Sequence, residues 1–405
     1  MQQHGINWRA MAILSSGHVW TDINQGAVPA LLPFLITELH LSYVAAAGLV
    51  LAATASSSIV QPFFGQYSDR HPLPWLVPAG VALAGTGIGL AGIAGNYILL
   101  FISFVLSGIG VAAFHPESSR FANYISGNKR ASGMSFFALG GNIGFALGPL
   151  LVSFLIVTFG LKGTLWMLIP AGIIALILAK EVPYLMTFRT GIQNNHANSD
   201  KTLNDWSAFG RLTGVIAFRS FAYFGLLTFV PLYAITAFKI SKAEANIALT
   251  LVLILGAAGT LLTGWFADKW GRKWVVVTSM ALATPLILGF VTTGNIIFGL
   301  ICLMLGGAAV IAPFTVTVVM GQEYLPANIG VAAGVTLGRA TGLGGIGTAP
   351  LGIIADHFGL QTTLFIIAIL PIMGAALTFT LPIRFDQRPW PMKETHIRKF
   401  FRIIK

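Results

Sequence analysis

GWFADKWGRK, at residues 264–273, places a charged turn directly after a long apolar stretch of the chain. A shorter copy, GQYSDR at residues 65–70, also follows an apolar stretch. Asp69 and Asp268, which occupy the same place in the two copies, are 199 positions apart in a chain of 405 residues. A duplication of this size inside a hydrophobic chain is typical of a membrane transporter built from two similar halves.

The composition is that of a membrane protein. Hydrophobic residues make up 55% of the chain and charged residues 9%, whereas soluble domains carry roughly 25% charged residues. The net charge of +11 is compatible with nucleic-acid binding, but basic residues in short loops and in the tail fit the charge bias of membrane proteins better. The single cysteine, Cys302, excludes a disulfide framework. The first apolar run is too long for a cleavable signal and contains Asp22, so we expect a membrane helix there.

Apolar segments separated by polar, glycine or proline breaks predict an all-α integral membrane protein with twelve transmembrane helices. The first six lie at 8–36, 43–66, 74–94, 97–120, 132–158 and 163–180. The second six lie at 208–237, 243–267, 274–293, 295–321, 330–354 and 360–382. We therefore expect six-helix bundles at 1–180 and 208–382, a cytoplasmic connector at 181–207 and a basic cytoplasmic tail at 383–405.

The distribution of lysine and arginine predicts the orientation. If the N-terminus is cytoplasmic, the outer loops contain only Lys162, Lys239 and Lys242, whereas 19 of the 24 basic residues lie on or near the inner side. Cytoplasmic loops of membrane proteins carry such an excess. We expect both termini in the cytoplasm, with the bacterial inner membrane as the location.

A second repeated pair supports the duplication. The fifth predicted helix contains GFALGP at 144–149, and the eleventh contains GIGTAP at 345–350. Their final prolines are 201 positions apart, close to the offset of the charged turns. An even number of crossings in each half returns the chain to the same side, so this is a parallel repeat.

These motifs resemble a known superfamily. Residues 264–273 are similar to the complete loop signature of the major facilitator superfamily, and residues 65–70 to its first half, with HPLP at 71–74 in place of the remainder. The resemblance implies the major facilitator fold of two six-helix halves and a monomeric transporter. In such a loop, the aspartate can cap a helix and pair with a basic neighbour.

A contact of this kind between the halves would hold one access state and break in the other. Alternatively, the charges only anchor loops at the surface. The glycines and the proline of the fifth helix accompany exporters in the superfamily, but they also suit close helix packing without any bearing on direction. The candidate gating residues are Asp69, Arg70, Arg120, Gly264, Asp268, Lys269, Arg272, Lys273, Glu323, Gly144, Gly148 and Pro149.

A narrower resemblance covers nearly the whole chain. FHPESSR at 114–120, DRHPLPW at 69–75, GNIGFALGPLL at 141–151 and QEYLP at 322–326 are similar to the fosmidomycin-resistance family of drug exporters. The resemblance implies proton-coupled efflux of small toxic compounds, including a phosphonate antibiotic.

One face of the first predicted helix is polar. His18, Asp22 and Gln25 recur at i, i+4 and i+7, with Ser15 one turn earlier. Inserting a charged side chain at the centre of the membrane costs about 2.5–3.5 kcal/mol of free energy, so we expect such a residue to have a specific role. We expect this stripe to face a watery cavity, with Asp22 as the candidate proton carrier and His18 as the group that tunes it. The alternative is a buried polar cluster that only holds helices together.

The fourth predicted helix offers a second proton site. Glu117 is the alternative carrier, with His115 as its relay. Glu117 and Arg120 are also spaced i, i+3, so the same residues suit a charge network that locks the inner gate.

The seventh predicted helix contains Arg219 and Tyr223, each 201 positions after its counterpart in the first helix, His18 and Asp22 respectively. The superfamily resemblance implies that helices 1, 4, 7 and 10 line a central cavity. Asp22 and Arg219 would then face one space from opposite halves, and their attraction would keep the carboxylate ionised. The candidate substrate-binding residues are Asp22, Gln25, Arg219, Tyr223, Arg339 and Asn142.

The leading hypothesis is therefore a proton-coupled exporter of small organic compounds. The alternative is uptake of an anionic metabolite, with Arg219 and Arg339 as its ligands. A non-transporting receptor or a membrane enzyme is a remote alternative, since no nucleophile elbow or phosphate-binding loop stands at a convincing place. We expect a small-molecule substrate, protons and lipid as partners, and no cofactor, metal or nucleic acid.

Overall fold

The computed structural model describes residues 5–70, 73–127, 129–188, 204–328, 331–332, 335–336 and 340–382. These residues are almost entirely α-helical, as the hydropathy pattern predicts. Most of the expected connector, the basic tail and Arg339 lie outside the described residues.

The N-terminal half contains six α-helices. They are α1 (Trp8–Leu39), α2 (Tyr43–Arg70), α3 (Leu76–Ala91), α4 (Tyr97–Ile125), α5 (Arg130–Phe159) and α6 (Leu168–Met186). A 3₁₀ helix, Leu161–Met167, precedes α6. Helix α6 extends six residues beyond its predicted end at residue 180.

The C-terminal half also contains six α-helices among the described residues. They are α7 (Trp206–Phe238), α8 (Lys242–Trp270), α9 (Arg272–Thr292), α10 (Ile296–Ile311), α11 (Phe314–Tyr324) and α12 (Ala340–Phe379). Helix α12 contains residues 340–354 of the predicted eleventh segment and most of the predicted twelfth, and it turns at Gly359. The φ angle of +83° at Gly359 favours glycine because the residue has no Cβ.

The predicted tenth helix, 295–321, corresponds to one membrane-crossing segment, Ile296–Tyr324, which is interrupted between α10 and α11. Pro313 has no N–H to donate to Ala309, four residues earlier. The Ala309 carbonyl instead accepts a hydrogen bond from the Ser279 hydroxyl at 2.9 Å. The Ala312 carbonyl accepts one from the Thr263 hydroxyl at 2.6 Å. Neighbouring helices thus satisfy the carbonyls at the break.

Nine helical segments of the described chain are long and apolar enough to cross a membrane. Gly342–Phe379 counts once among them although it turns at Gly359, and neither the polar α1 nor the shorter α3 is included. The chain is therefore a multi-pass membrane protein. Twelve crossings and the exact limits of the two bundles stay predictions.

Three side chains join the halves at the ends of the helices that we predict to face outward. Asp356 accepts hydrogen bonds from the backbone N–H groups of Tyr43 at 2.7 Å and Val44 at 2.9 Å, which begin α2. Asn246 donates to the Ala30 carbonyl at 3.0 Å and to Ser153 at 2.8 Å. Thr348 contacts the Ala47 carbonyl at 3.4 Å.

The hydrogen bonds that Asp356, Asn246 and Thr348 make between the halves form an outer seal. Weakening this seal should expose the interface between α2 and α12. In a Cys302→Ala background, a cysteine introduced by Ala47→Cys tests this, because Ala47 is fully buried. We expect Asp356→Asn to raise the rate of its labelling by a membrane-impermeant maleimide about fivefold, since one charge-assisted interaction is weakened by about 1 kcal/mol. Glu38→Gln removes an exposed outer charge and serves as control. Equal rates in all three proteins would show that Asp356 does not hold the seal.

Candidate functional site

A cavity of about 280 Å³ lies between the two halves. Helices α1 and α5 contribute Asp22, Gln25 and Asn142 to its lining, and α7 contributes Arg219 and Tyr223. Five of the six candidate substrate-binding residues therefore face one space. The polar stripe of α1 and the repeat offset were the signals that predicted this arrangement.

Asp22 lies between two imidazoles. Its carboxylate oxygens are 3.3 Å from Nε2 of His18 and 3.4 Å from Nε2 of His115. The Nδ1 atom of His18 is 2.8 Å from the Phe137 carbonyl, and that of His115 is 2.9 Å from the Val111 carbonyl. A carbonyl only accepts hydrogen bonds, so each Nδ1 carries its hydrogen.

This tautomer has a consequence for the proton content of the cluster. In a neutral imidazole with hydrogen on Nδ1, Nε2 presents a lone pair. Both Nε2 atoms would then point lone pairs at the oxygens of an ionised Asp22. An additional proton on either histidine or on Asp22 converts repulsion into a charge-assisted hydrogen bond. The three side chains can therefore hold one or two protons between them.

The same three side chains also match the spacing of a metal site. Their ligand atoms all lie within 4.8 Å of one another. Two imidazoles and a carboxylate are ligands that transition metals accept, whereas we expected no metal from the sequence. Functional assays should therefore contain a chelator.

Glu117 lies apart from this cluster although it is two residues from His115. Its carboxylate is 1% exposed and is 2.8 Å from the Arg120 guanidinium. Arg120 also donates to the Ser68 carbonyl near the end of α2, at 2.7 Å. This geometry favours a lock between α4 and α2 over the alternative proton carrier.

Arg219 is 4% exposed, yet no carboxylate lies within ion-pair distance among the side chains that the structure describes. Its guanidinium carbon is 5.0 Å from the centre of the Phe314 ring, and Nη2 is 3.4 Å from the Ser220 hydroxyl. Its Nε has no hydrogen-bond partner. Asp22 and Arg219 thus line the same cavity without a direct ion pair, and the expected attraction between them stays a prediction.

The basic residues of the second charged turn contact their own half. Lys273 donates to the carbonyls of Phe379 at 2.8 Å and Leu381 at 2.7 Å, near the end of α12. Arg272 pairs with Glu323 near the end of α11. The Lys269 ammonium lies 3.6 Å from the centre of the Trp265 ring. A contact between halves at this turn stays a prediction.

The remaining gating candidates divide into two groups. The side chains of Asp69, Arg70 and Asp268 lie outside the described residues. Gly264 has open space where a Cβ would stand, so no close approach explains that glycine.

The small residues of α5 allow close packing against α1. A Cβ on Gly144 would stand 2.1 Å from the Val19 carbonyl oxygen, and one on Gly148 would stand 2.6 Å from that of Ile23. Pro149 lies inside a continuous α5. This contact fixes the segment of α1 that contains Asp22. Its bearing on transport direction stays a prediction.

Sequence reasoning missed several residues of the interface and the cavity. Asn246 and Asp356 are single polar residues in or beside apolar helices, and that rarity was an available signal. Phe314 and Thr315 line the cavity because the chain breaks at Pro313, and nothing in their local sequence indicates it.

Comparisons with known proteins give the family. The Major Facilitator Superfamily model matches residues 14–335 and, a second time, 212–404. The chain is 31% identical over 389 residues to the uncharacterized MFS-type transporter YfnC of Bacillus subtilis, with 94% of each chain covered. It is 30% identical over 377 residues to the fosmidomycin resistance protein of Escherichia coli, with 92% of each covered.

The fold also matches a solved structure. A bacterial homolog of the human lysosomal transporter Spinster, in an inward-facing and occupied conformation, superimposes with a TM-score of 0.75 at 15% identity. The match covers 96% of this chain and 99% of that one. These findings confirm the predicted superfamily and the similarity to fosmidomycin-resistance proteins. The chain belongs to the Major Facilitator Superfamily.

Proposed function

We propose that this membrane transporter is a proton-coupled exporter of small organic compounds that works by alternating access. The observation that carries the proposal is the cavity between the halves, with Asp22 and its two histidines on one side and Arg219 on the other. Charged and ionisable side chains are unfavourable inside a membrane, so the presence of these groups indicates a substrate and ion pathway.

The hydrogen bonds between the halves suggest which side of this state is closed. Asp356 and Asn246 join the halves at the end predicted to face outward. With a cytoplasmic N-terminus, these hydrogen bonds close the outer end, and we propose that substrate enters the cavity from the cytoplasm in this state. An exporter takes up its substrate in this state and releases it after the halves rock apart at the outer end.

Exchange requires that substrate and protons compete. A substrate with N–H or O–H donors can satisfy the Asp22 carboxylate and so displace the protons shared with His18 and His115. Those protons leave to the cytoplasm, and protons from outside later displace the substrate. The proton gradient thereby drives export.

Uptake of an anionic metabolite is the second candidate, and the unpaired Arg219 favours it. A substrate that binds at Arg219 and offers no N–H or O–H donor to Asp22 cancels part of the positive potential on that carboxylate, which favours its protonated form. Binding would then take up a proton, and substrate and proton would move together. The sign of the proton change therefore distinguishes exchange from co-transport.

Expression in a bacterial host that lacks its own exporters tests the proposal. We expect higher inhibitory concentrations for members of a toxic-compound panel that includes fosmidomycin, and lower cellular accumulation that an uncoupler reverses. Asp22→Asn, expressed at the same level, is the matched control. Sensitisation of the cells, or growth on an added anionic nutrient, would favour uptake instead.

We also propose that the protein is a monomer in the bacterial inner membrane with both termini in the cytoplasm. The excess of lysine and arginine in the predicted inner loops supports this orientation. Protease protection of terminal tags in intact cells, and their cleavage in inverted vesicles, is the expected result.

A further inference from the structure

The break between α10 and α11 places the start of a helix at the cavity. Phe314 and Thr315 are the first two residues of α11 and both line the cavity. The first N–H groups of a helix have no partners within that helix, and Pro313 provides no side-chain cap for them. The helix start therefore presents partial positive charge to the cavity.

Arg219 supplies an independent reason to expect negative charge at the same place. Its guanidinium stacks on the ring of Phe314, the first residue of α11. The side chain is buried, its Nε has no hydrogen-bond partner, and it lines the same cavity. A buried cation beside an uncapped helix start is unfavourable unless an anion joins them.

We propose that Arg219 and the start of α11 form a subsite for the anionic group of the transported compound, a carboxylate or phosphonate. This inference rests on the proposed export function, in which the transported anion also carries an N–H or O–H donor that reaches Asp22 and displaces its protons. The planar guanidinium suits two-point binding of such groups, and helix starts in interrupted membrane helices bind anionic substrate groups. Thr315 also lines the cavity, and its hydroxyl is an additional donor.

The cavity of about 280 Å³ has room for the remainder of the compound, and an adjoining apolar pocket extends it by about 20 Å³. It shares Gln25, Phe145 and Phe224 with the cavity and continues along Val28, Val111 and Leu227. The substrate class is therefore a small organic anion with a compact apolar body.

Binding to the purified full-length protein in detergent and EDTA tests the subsite. The probes are phenylphosphonate, neutral benzyl alcohol and cationic benzyltrimethylammonium, measured by intrinsic tryptophan fluorescence. We expect phenylphosphonate to bind at least tenfold more tightly than the other two. Arg219→Gln should weaken it about 10- to 100-fold and Thr315→Val about threefold to tenfold.

Two further variants keep the test decisive. Arg219→Lys retains the charge without the planar fork and should bind with intermediate affinity, which guards against a misfolded Arg219→Gln protein. Lys162→Gln removes an exposed positive charge from the 3₁₀ helix before α6 and should bind as the unaltered protein does. Equal affinity for the three probes, or unchanged phenylphosphonate affinity in Arg219→Gln, would overturn the subsite.

The binding assay requires neither a gradient nor transport. It therefore tests the anion subsite independently of the proposed export. If phenylphosphonate does not bind but the host gains resistance to neutral or cationic compounds, the subsite is wrong and export stands. If phenylphosphonate binds as expected but the chain changes no compound's accumulation, the subsite stands and export is wrong.

Discussion

Asp22→Asn is expected to abolish proton-driven accumulation of an exported compound in inverted membrane vesicles, lowering the initial rate by more than about tenfold. An amide has nearly the shape of the carboxylate, so the cavity stays intact. It carries no charge to hold protons on His18 and His115, which lie 3.3 and 3.4 Å away. Loss of one charge-assisted interaction of about 1.5–3 kcal/mol already corresponds to this factor.

Exchange of labelled for unlabelled compound without a gradient should persist in the same variant, because it needs the cavity but no net proton movement. Glu181→Gln is the matched control, since Glu181 pairs with the exposed Arg9 at 2.7 Å, away from the cavity. Gradient-driven accumulation at the unaltered rate in Asp22→Asn would remove this carboxylate from the coupling.

Gly144→Val is expected to have the largest effect on stability. The new Cβ would stand 2.1 Å from the Val19 carbonyl oxygen, well inside contact distance. That oxygen belongs to the backbone of α1 and cannot rotate away, so α1 and α5 must separate. Overpacking typically costs about 1–3 kcal/mol, and we expect the upper end of this range, seen as a lower thermal midpoint of the purified protein.

Gly172→Val provides the comparison, because Gly172 is also helical and nothing lies within 4 Å of the point where its Cβ would stand. This variant should unfold at or slightly above the midpoint of the unaltered protein, since valine has the higher helix propensity. Similar midpoints for the two variants would contradict the close contact between α1 and α5.

Most of the helices could be predicted because the rules that place them are local. Lipid requires the backbone to satisfy its own hydrogen bonds, so each apolar run becomes a helix. The face shared by His18, Asp22 and Gln25 follows from helix periodicity. Asp22 and Gln25 line the cavity, which agrees with the spacing of the two halves.

The break before α11 could not be predicted because proline alone does not cause one. Pro29, Pro33, Pro116 and Pro149 all lie inside continuous helices. At Pro313 the break is stabilised by the hydroxyls of Ser279 and Thr263, which belong to other helices. Their positions depend on tertiary packing, which the sequence pattern does not describe.

The partner of Asp22 shows the same limit. The repeat offset pointed to Arg219, which does line the cavity, and the i, i+4 spacing pointed to His18, which does contact Asp22, whereas the contact with His115 was not predicted. The spacing of His115 and Glu117 does not reveal which of them α4 turns toward α1. The rotation of α4 about its own axis, which helix packing sets, determines which of the two side chains faces α1.

Proton release on substrate binding tests directly whether substrate and protons compete for Asp22. A weakly buffered solution of the purified protein with a pH dye and EDTA is mixed with fosmidomycin, or with an exported compound found by the resistance panel. We expect proton release from the unaltered protein and from Glu117→Gln, and none from Asp22→Asn. Proton uptake by the unaltered protein, or equal release from Asp22→Asn, would contradict it.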